Sequence, residues 1–365
     1  NIFMKIYKLS SHEKIINTND KSNFLKNTSL INSLHQTKCK IDSCNLKKWE
    51  LAKKYHNDFE YVYTSSNTQK NMCLVLPISR SYFKILEIIY EFNLFQNDKS
   101  FSCIAEGPGG FIQSIHDIYK KKKININTIY GITLISNDRK IPYWNSNILK
   151  NSKNNIQYGT DETGDIYKLS NALDYIKSHK EKCYLVTSDG GFDFSENYNE
   201  QENNCVKLLF CEIFIALQVQ ELNGTFIIKV FDLLNLKTIQ LLYILYLQYS
   251  EIYFYKPDTS RLSNSEKYIV CKGFTGLNKD ISNLMIKVYD DLNLFHLFVP
   301  QSFLDEINKY NELFIENQKK NINEVLKIVR DNRHIQNKPT NKQINSAKLW
   351  CQKYNLELNP NFVFF

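Results

Sequence analysis

The stretch CIAEGPGGF, residues 103–111, passes from an apolar segment into a group of glycines and ends on an aromatic residue. The apolar residues 101–105 predict a short strand, and residues 110–120 predict a helix directly after it. In α/β sheets, ligands bind beyond the carboxyl ends of the strands, where glycines allow close approach and a helix N-terminus offers free N–H groups. The stretch therefore predicts either a ligand-binding loop or a purely structural strand–turn–helix junction.

Helices and strands alternate on both sides of this loop. Amphipathic or apolar periodicity predicts helices over residues 79–95, 169–178, 203–221 and 233–248. Apolar runs predict strands at 128–135, 183–187, 224–231, 252–255 and 267–271. The last two strands are close enough in sequence to pair as a hairpin-like edge. This alternation predicts an α/β fold with a Rossmann-like, doubly wound and mostly parallel sheet.

The two ends of the chain have a different character. Residues 1–45 are polar and show no clear period, which predicts an irregular or helical N-terminal extension. Residues 46–60 predict a short basic helix followed by a turn, and residues from 278 onward have a charged, helical pattern without a strand signal. We therefore divide the chain into an extension (1–45), a central α/β domain (46–275) and a helical C-terminal region (276–365).

The composition favours an intracellular protein with a polyanionic partner. The 365 residues carry a formal net charge of +8, which suits a nucleic acid without proving one. The nine cysteines include no CxxC pair and histidine is scarce, so we expect reduced thiols and no metal site. No apolar run approaches the roughly 18 residues that a membrane span needs, so we expect no membrane association.

The glycine loop differs from the fingerprint that binds dinucleotides. That fingerprint needs G-x-G-x-x-G and an acidic residue about 20 positions later. Here the glycines read GPGG and the acid, Glu106, precedes them. A dehydrogenase is therefore a weak interpretation, and a nucleoside ligand without a pyrophosphate fits better, with S-adenosylmethionine as the leading candidate. The segment 163–166, TGDI, adds a carboxylate beside an apolar residue, which suits adenine, although a plain turn is the alternative.

Four charged residues occupy positions that suit a role in catalysis. Lys229 lies inside an apolar strand, Asp189 follows a buried strand, Lys84 lies in the first amphipathic helix, and Glu266 precedes the last strand. Burial should lower the pKa of Lys229 and make it a usable base. A neutral Lys229 could then accept the proton of an RNA ribose 2'-hydroxyl. Lys84 would help to keep it neutral, and the two carboxylates would orient the lysines. Lysines that reach solvent and a solvated strand end are the alternatives.

Several segments together resemble a known family. They are residues 79–84, 106–111, 163–166, 188–192, 228–232 and 256–268. In order and approximate spacing they resemble the FtsJ/RrmJ-type ribose 2'-O-methyltransferases, and within them the mRNA cap-specific enzymes of eukaryotes and large viruses. The resemblance implies a class I S-adenosylmethionine-dependent methyltransferase domain with a Lys-Asp-Lys-Glu tetrad, here Lys84, Asp189, Lys229 and Glu266. The predicted cofactor-binding residues are Ser79, Glu106, Gly107, Pro108, Gly109, Gly110, Phe111, Asp165 and Ile166.

The resemblance also implies contacts with the RNA substrate. The turn at 57–60, NDFE, looks like the family's Asn-Pro-Tyr-Glu element, and the basic residue four positions before it is Lys53. The residues implied to hold the start of the transcript are Asn199, Glu200, Gln201 and Asn264. The block TSRLSNSE at 259–266 resembles the cap-specific members and favours capped mRNA over ribosomal RNA.

The sequence thus predicts methyl transfer from S-adenosylmethionine to the ribose 2'-hydroxyl of the first transcribed nucleotide, next to a 7-methylguanosine cap. The alternatives are methylation of rRNA, tRNA or the second cap-proximal nucleotide, and a catalytically inactive RNA-binding scaffold, against which the complete tetrad argues. Capped RNA is the expected partner, with transcription or capping machinery as a further candidate. The expected location is the nucleus for a cellular protein, and the host cytoplasm or virion for a protein of a large DNA virus.

Overall fold

The computed structural model describes residues 5–25, 27–138, 140–191, 200–331 and 338–363. Within these residues the strands form one sheet of eight, in the order β1-β7-β8-β6-β5-β2-β3-β4. The strands are β1 (Ile6–Lys8), β2 (Lys99–Ile104), β3 (Ile126–Ile132), β4 (Asn154–Gln157), β5 (Cys183–Ser188), β6 (Gln220–Val230), β7 (Tyr249–Tyr255) and β8 (Lys267–Phe274). The helices are α1 (Thr28–Asp42), α2 (Leu46–His56), α3 (Ser81–Glu91), α4 (Gly110–Lys122), α5 (Ser146–Lys150), α6 (Leu169–Ser178), α7 (Gln201–Val219), α8 (Leu236–Gln248), α9 (Lys279–Lys287), α10 (Gln301–Arg330) and α11 (Asn341–Lys353).

The strand order confirms the predicted α/β class and the mostly parallel sheet. Strands β4, β3, β2, β5 and β6 run parallel, and β8, β7 and β1 join by antiparallel pairing. The chain builds outward from β2 through β3 to β4 and then returns to place β5 on the other side of β2. The strand order therefore reverses between β2 and β5, and the crevice beyond their carboxyl ends is where such sheets bind ligands.

The predicted hairpin-like edge is only partly correct. Strands β7 and β8 do pair antiparallel, with Tyr255 opposite Tyr268. However, β8 lies inside the sheet between β6 and β7, and the edge is β1 from the N-terminal extension. No strand was predicted there, because β1 has only three residues, IYK, and none of them is fully buried. The half-buried strand β4, with the sequence NNIQ, was missed for the same reason.

Helices cover both faces of the sheet, as a doubly wound fold requires. One face packs against α6, α7, α8 and α10 through fully buried side chains that include Phe210, Ile244 and Phe303. The other face packs against α3, α4 and α11, with Ile115 and Trp350 in its core. Each large side chain buried in this way contributes roughly 1.5–3 kcal/mol relative to an exposed one. The two cores hold the strand ends in a fixed relative position.

A third, smaller core joins the two ends of the chain. Helices α1, α2 and α10 pack together through a cluster of Ile41, Trp49, Ala52, Ile322, Val325 and Leu326. This contact brings α2, which carries Lys53, against the 30-residue helix α10. The helical additions therefore meet beside the α/β domain and form a wall next to its ligand-binding edge.

The structure also describes the cysteines and the apolar character of the helices. All nine cysteines are free thiols in this structure. In the parts of the chain that the structure describes, no helix combines the length and the apolar character needed to cross a bilayer.

Candidate active site

The glycine loop lies between the end of β2 and the first turn of α4. Gly109 adopts a φ of +110°, and a Cβ at this position would lie 2.6 Å from Ile148, so a larger residue is excluded by both conformation and space. A Cβ at Gly110 would collide with the Ser79 hydroxyl. The loop therefore packs tightly against Ile148 and Ser79, and this packing excludes a side chain at either glycine.

Glu106 is buried at the start of this loop, with an exposed fraction of 2%. Its Oε1 accepts a hydrogen bond from the Phe111 N–H at 2.8 Å, whereas its Oε2 has no hydrogen-bond partner among the described residues. Burial raises the pKa of Glu106 well above its ordinary value, and the nearby Asp189 acts in the same direction. A buried polar oxygen without a partner is costly, so this atom marks a position where a donor group of a ligand would fit.

The predicted adenine-binding turn lies at the same edge of the sheet. Ile135 donates its N–H to the Thr163 carbonyl at 2.7 Å, and Gly164 donates its N–H to the Tyr158 carbonyl at 2.7 Å. These bonds hold residues 163–166 beyond the carboxyl ends of β3 and β4. Asp165 is half-buried and accepts a hydrogen bond from the Tyr167 N–H at 2.9 Å. The predicted cofactor-binding residues of the glycine loop and of the turn at 163–166 therefore lie beyond the carboxyl ends of neighbouring strands, and Ser79 lies against Gly110.

The four residues of the predicted tetrad form two ion pairs. Lys84 Nζ lies 2.8 Å from Glu266 Oε1. Lys229 Nζ lies 3.4 Å from Asp189 Oδ1 and donates a hydrogen bond to the Asp189 carbonyl at 2.7 Å. All four side chains are between 12% and 16% exposed, so the pairs are largely withdrawn from solvent but open on one side. Lys84 lies in α3, Asp189 follows β5, Lys229 lies in β6 and Glu266 precedes β8. The sheet therefore brings all four residues together at the carboxyl ends of β5 and β6.

The electrostatics correct one prediction from the sequence. Burial lowers the pKa of Lys229, but the carboxylates of Asp189, Glu266 and Glu212 raise it by more, so the net pKa lies above its ordinary value of 10.5. The expectation that burial makes Lys229 neutral is therefore wrong for this structure. Burial acts to raise the pKa of Glu266, yet nearby lysines lower it to about 2. The site is a network of alternating charges, with Lys229 protonated.

Three side chains that the sequence analysis missed complete the network. Tyr268 donates its hydroxyl to Asp189 Oδ1 at 2.7 Å, and Ser260 donates its hydroxyl to Glu266 Oε1 at 2.9 Å. Glu212 on α7 is buried, and burial raises its pKa to about 8. Tyr268 could have been found, because residues two apart on a strand share a face and it stands two positions after Glu266. Glu212 had no such signal, since it lies in an apolar helix far from the motifs.

The predicted substrate residues occupy two places. Gln201 and Asn264 lie beside the tetrad: Gln201 accepts a hydrogen bond from the Ser265 hydroxyl at 2.8 Å, and Asn264 precedes the same serine. Glu200 is exposed at the start of α7. Asn199 lies outside the described residues, as does Phe192 of the motif at 188–192. Lys53 lies apart from these residues, in a cleft.

This cleft has a volume of about 510 Å³ and lies between the helical additions and the turn that leads to Glu266. One wall comes from α2 and α10, with Lys53 and Asn321, and the other from residues 256–263, including Arg261. Lys53 forms an ion pair with Glu50 on its own helix and is only partly exposed. The lining is mixed in charge, with six basic side chains: Lys5, Lys53, His56, Lys256, Arg261 and Lys342.

A buried carboxylate fixes the floor of the cleft. Glu60, 1% exposed, accepts two hydrogen bonds from Arg261, at 2.9 Å and 3.1 Å, and lies 3.4 Å from Arg80. Asn57 donates a further hydrogen bond to it at 2.9 Å. Burial acts to raise the pKa of Glu60, but the two arginines lower it below its ordinary value. The NDFE turn is thus joined to the TSRLSNSE block, although the two are separated by about 200 residues in sequence.

A model of FtsJ-like methyltransferases matches residues 77–274. The chain belongs to the FtsJ-like methyltransferase family. The matched residues include the whole glycine loop, the turn at 163–166 and the four residues of the predicted tetrad. Lys53 and the helices α1, α2, α10 and α11 lie outside the match, so the wall of the cleft opposite Arg261 is an addition to the FtsJ-like domain.

The curated relatives of this FtsJ-like chain carry names that refer to mRNA caps. A "Cap-specific mRNA (nucleoside-2'-O-)-methyltransferase 2" of Pongo abelii is 27% identical over 85% of this chain and 43% of its own length. A "Cap-specific mRNA (nucleoside-2'-O-)-methyltransferase 1" of Trypanosoma cruzi is 35% identical over 48% of each chain. The chain therefore spans less than half of the length of these relatives. A solved structure from Plasmodium falciparum, described as a ribosomal RNA methyltransferase, covers 54% of this chain and 98% of its own, at 23% identity and a TM-score of 0.39.

Over the described part of this FtsJ-like chain, no group of three His, Cys, Asp or Glu side chains is arranged to hold a metal ion. The residues gathered at the carboxyl ends of the strands offer two carboxyl oxygens without a hydrogen-bond partner among the described residues, on Glu106 and Glu212, and two ion pairs. This arrangement offers hydrogen-bond acceptors to a ligand and places two ammonium groups, which can exchange a proton, beside them.

Proposed function

We propose that this FtsJ-like chain transfers a methyl group from S-adenosylmethionine to the ribose 2'-hydroxyl of the first transcribed nucleotide of capped mRNA. The observation that carries the proposal is the convergence of the Lys84–Glu266 and Lys229–Asp189 ion pairs beside the glycine loop. The cap-specific names of the curated relatives support the choice of mRNA.

The residues at the sheet edge would hold the cofactor in a defined orientation. The glycine loop suits the amino-acid end of the cofactor, because the Glu106 Oε2 has no hydrogen-bond partner among the described residues and can accept one from a ligand. Asp165 and the buried Ile166 suit the amino group and the flat face of adenine. When bound, S-adenosylmethionine supplies a methyl group activated by the sulfonium.

Lys229 is the proposed general base for the ribose hydroxyl. Asp189 fixes its ammonium through the carbonyl and Oδ1, and Tyr268 fixes the Asp189 carboxylate in turn. Because the carboxylates raise the pKa of Lys229 above that of a free lysine, the side chain must lose a proton before it can accept one. The Lys84–Glu266 pair stands beside it and helps to align the reacting groups.

The raised pKa of Lys229 leads to a prediction for pH dependence. The fraction of Lys229 in the neutral form increases with pH below its pKa, so the rate of methyl transfer should rise continuously from pH 6.5 to 8.5. The rate should be measured in single-turnover experiments, so that product release does not limit it. Samples returned from pH 8.5 to pH 7 serve as the control for inactivation. A rate that is flat over this range would contradict the assignment of Lys229 as the base.

The cleft beside Glu266 is the proposed site of the capped end of the RNA. Lys53 and Arg261 face it from opposite walls, and positive side chains are what phosphate groups of a cap and transcript require. Gln201 and Asn264, next to the tetrad, are the proposed contacts for the first nucleotides, because they flank Ser265 and Glu266. This placement leaves the ribose of the first nucleotide near Lys229.

The function is tested by methyl transfer from labelled S-adenosylmethionine to three short RNAs of one sequence. One RNA carries a 7-methylguanosine cap, one an unmethylated cap and one a 5'-triphosphate. We expect label on capped RNA alone, mapped by nuclease digestion to the first ribose. Label on the second ribose would contradict the choice of nucleotide, and equal label on the triphosphate RNA would indicate a general RNA methyltransferase. Cofactor binding without transfer to any RNA would favour an inactive scaffold.

A further inference from the structure

Lys256 lies between the cleft and the tetrad, directly after β7. Its exposed fraction is 3%, and its backbone N–H donates to the Lys5 carbonyl at 3.1 Å. Lysine is almost never buried to this extent unless a partner neutralises it. Lys256 belongs to the segment 256–268 that resembles the family, and its burial at the end of β7 points to a role in that segment.

The ammonium of Lys256 contacts one short segment of the chain. It donates to the Asn264 carbonyl at 3.0 Å, to the Asn264 side-chain oxygen and to the Glu266 carbonyl. A lysine has three N–H donors, and these three acceptors satisfy all of them. Among the described residues, no carboxylate lies within ion-pair distance of this ammonium. Its contacts therefore fix the backbone at 264–266, which carries Glu266, and do not neutralise its charge.

The charge of Lys256 also acts on the tetrad. Burial lowers the pKa of Lys256 to about 7, Glu266 raises it, and Lys267 and Lys84 lower it. In return, Lys256 helps to lower the pKa of Glu266. An uncharged side chain could hold a turn at a smaller cost of burial. Lys256 therefore acts on the turn through its hydrogen bonds and, in its protonated form, on the Lys84–Glu266 pair through its charge.

We propose that Lys256 is a positioning residue for methyl transfer, because it fixes the direction in which Glu266 presents its carboxylate to Lys84. The effect of this positioning on catalysis rests on the proposed function. The same segment, 256–263, forms one wall of the cleft, so Lys256 also connects the proposed cap site to the tetrad. Lys256 acts through Glu266 and need not touch the reacting atoms.

The first test measures, without any substrate, whether the Lys84–Glu266 ion pair stays formed. Wild-type protein and Lys256→Met are treated with a low dose of acetic anhydride, and acetylation of each lysine is measured by peptide mass spectrometry. If Lys256 holds Glu266 in place, its loss weakens the Lys84–Glu266 pair, and Lys84 becomes several times more reactive. The control is Lys272→Met, which removes a partly buried lysine on β8 whose ammonium donates to the Phe92 carbonyl instead. Lys84 labelling that stays unchanged in Lys256→Met overturns the proposal.

The second test reads catalysis. Misplacing a catalytic group by about 1 Å can cost about 100-fold in rate, so we expect Lys256→Met to lower kcat by about 10- to 100-fold while KM for the cofactor changes little. In a Glu266→Gln background the same substitution should have almost no further effect, because both changes disable one arrangement. If the losses in rate caused by the two substitutions add fully, the proposal is overturned, because a lysine with a purely structural role would lower the rate independently of Glu266. Failure of the wild-type protein to methylate capped RNA overturns the proposed function instead, and the labelling result is independent of it.

Discussion

Replacing Lys229 with methionine is expected to lower the rate of methyl transfer by about 10²- to 10⁴-fold, the range that a positioned general base contributes. Methionine preserves most of the volume of the side chain in the apolar strand β6 but removes the amine. Asp189 keeps its hydrogen bond from Tyr268, so the end of β5 should stay in place. The measurement is single-turnover transfer to capped RNA, with cofactor affinity determined separately by calorimetry.

Two further variants separate the possible roles of Lys229. Lys229→Arg keeps the positive charge but cannot lose its proton, so it should be as inactive as the methionine variant. Recovery of activity in Lys229→Arg would show that the charge, and not the base, is what the reaction needs. Lys272→Met is the matched control, because Lys272 lies on the neighbouring strand β8 with its ammonium near the Phe92 carbonyl, among residues remote from the tetrad. This control should retain the wild-type rate.

Replacing Glu60 with alanine is expected to lower the free energy of unfolding by about 3–5 kcal/mol, the usual loss when one partner of a buried ion pair is removed. The substitution leaves the guanidinium groups of Arg261 and Arg80 close together without the carboxylate that both contact. It also removes the acceptor that holds Asn57. Equilibrium unfolding in urea measures the change, and methyl transfer to capped RNA should fall as well, because Arg261 is part of the segment that leads to Glu266.

Two controls define the origin of the Glu60 effect. Glu60→Gln keeps an oxygen acceptor and the side-chain shape, so its loss should be clearly smaller than that of alanine. Glu50 also approaches Arg261, at 3.9 Å, but it is 49% exposed. Exposed pairs contribute about 0–1 kcal/mol, so Glu50→Ala should change stability little. Equal losses for Glu60→Ala and Glu50→Ala would contradict the view that the buried network holds the cleft together.

Local pattern was sufficient to predict much of the fold and to name the four charged residues that form the two ion pairs. Helix α6 begins and ends at the predicted residues, and strands β2, β5 and β6 lie within a few residues of their predicted positions. These elements have strong apolar periodicity, and a periodic pattern needs no knowledge of distant residues. The family motifs likewise lie in continuous segments, so Lys84, Asp189, Lys229 and Glu266 could be named before their ion pairs were seen.

Other features depend on partners that are remote in sequence. Strand β1 has too few residues for a pattern, and it is a strand only because β7 offers an unpaired edge to it. The link between Glu60 and Arg261 joins segments about 200 residues apart. The cleft exists only because α2 and α10 pack together beside residues 256–263. None of these contacts leaves a signal in a short window of sequence.

The sequence by itself determined the order of the elements, the glycine loop and the identity of the charged residues, because periodicity and backbone freedom are properties of neighbouring residues. Only the tertiary structure decided how those charges behave. Lys229 was expected to be neutral because its strand is apolar, but three carboxylates from separate segments raise its pKa. Lys256 has the lowered pKa instead, because the ammonium is buried against neutral oxygens. A pKa depends on the distances to all nearby charges, and the fold alone sets those distances.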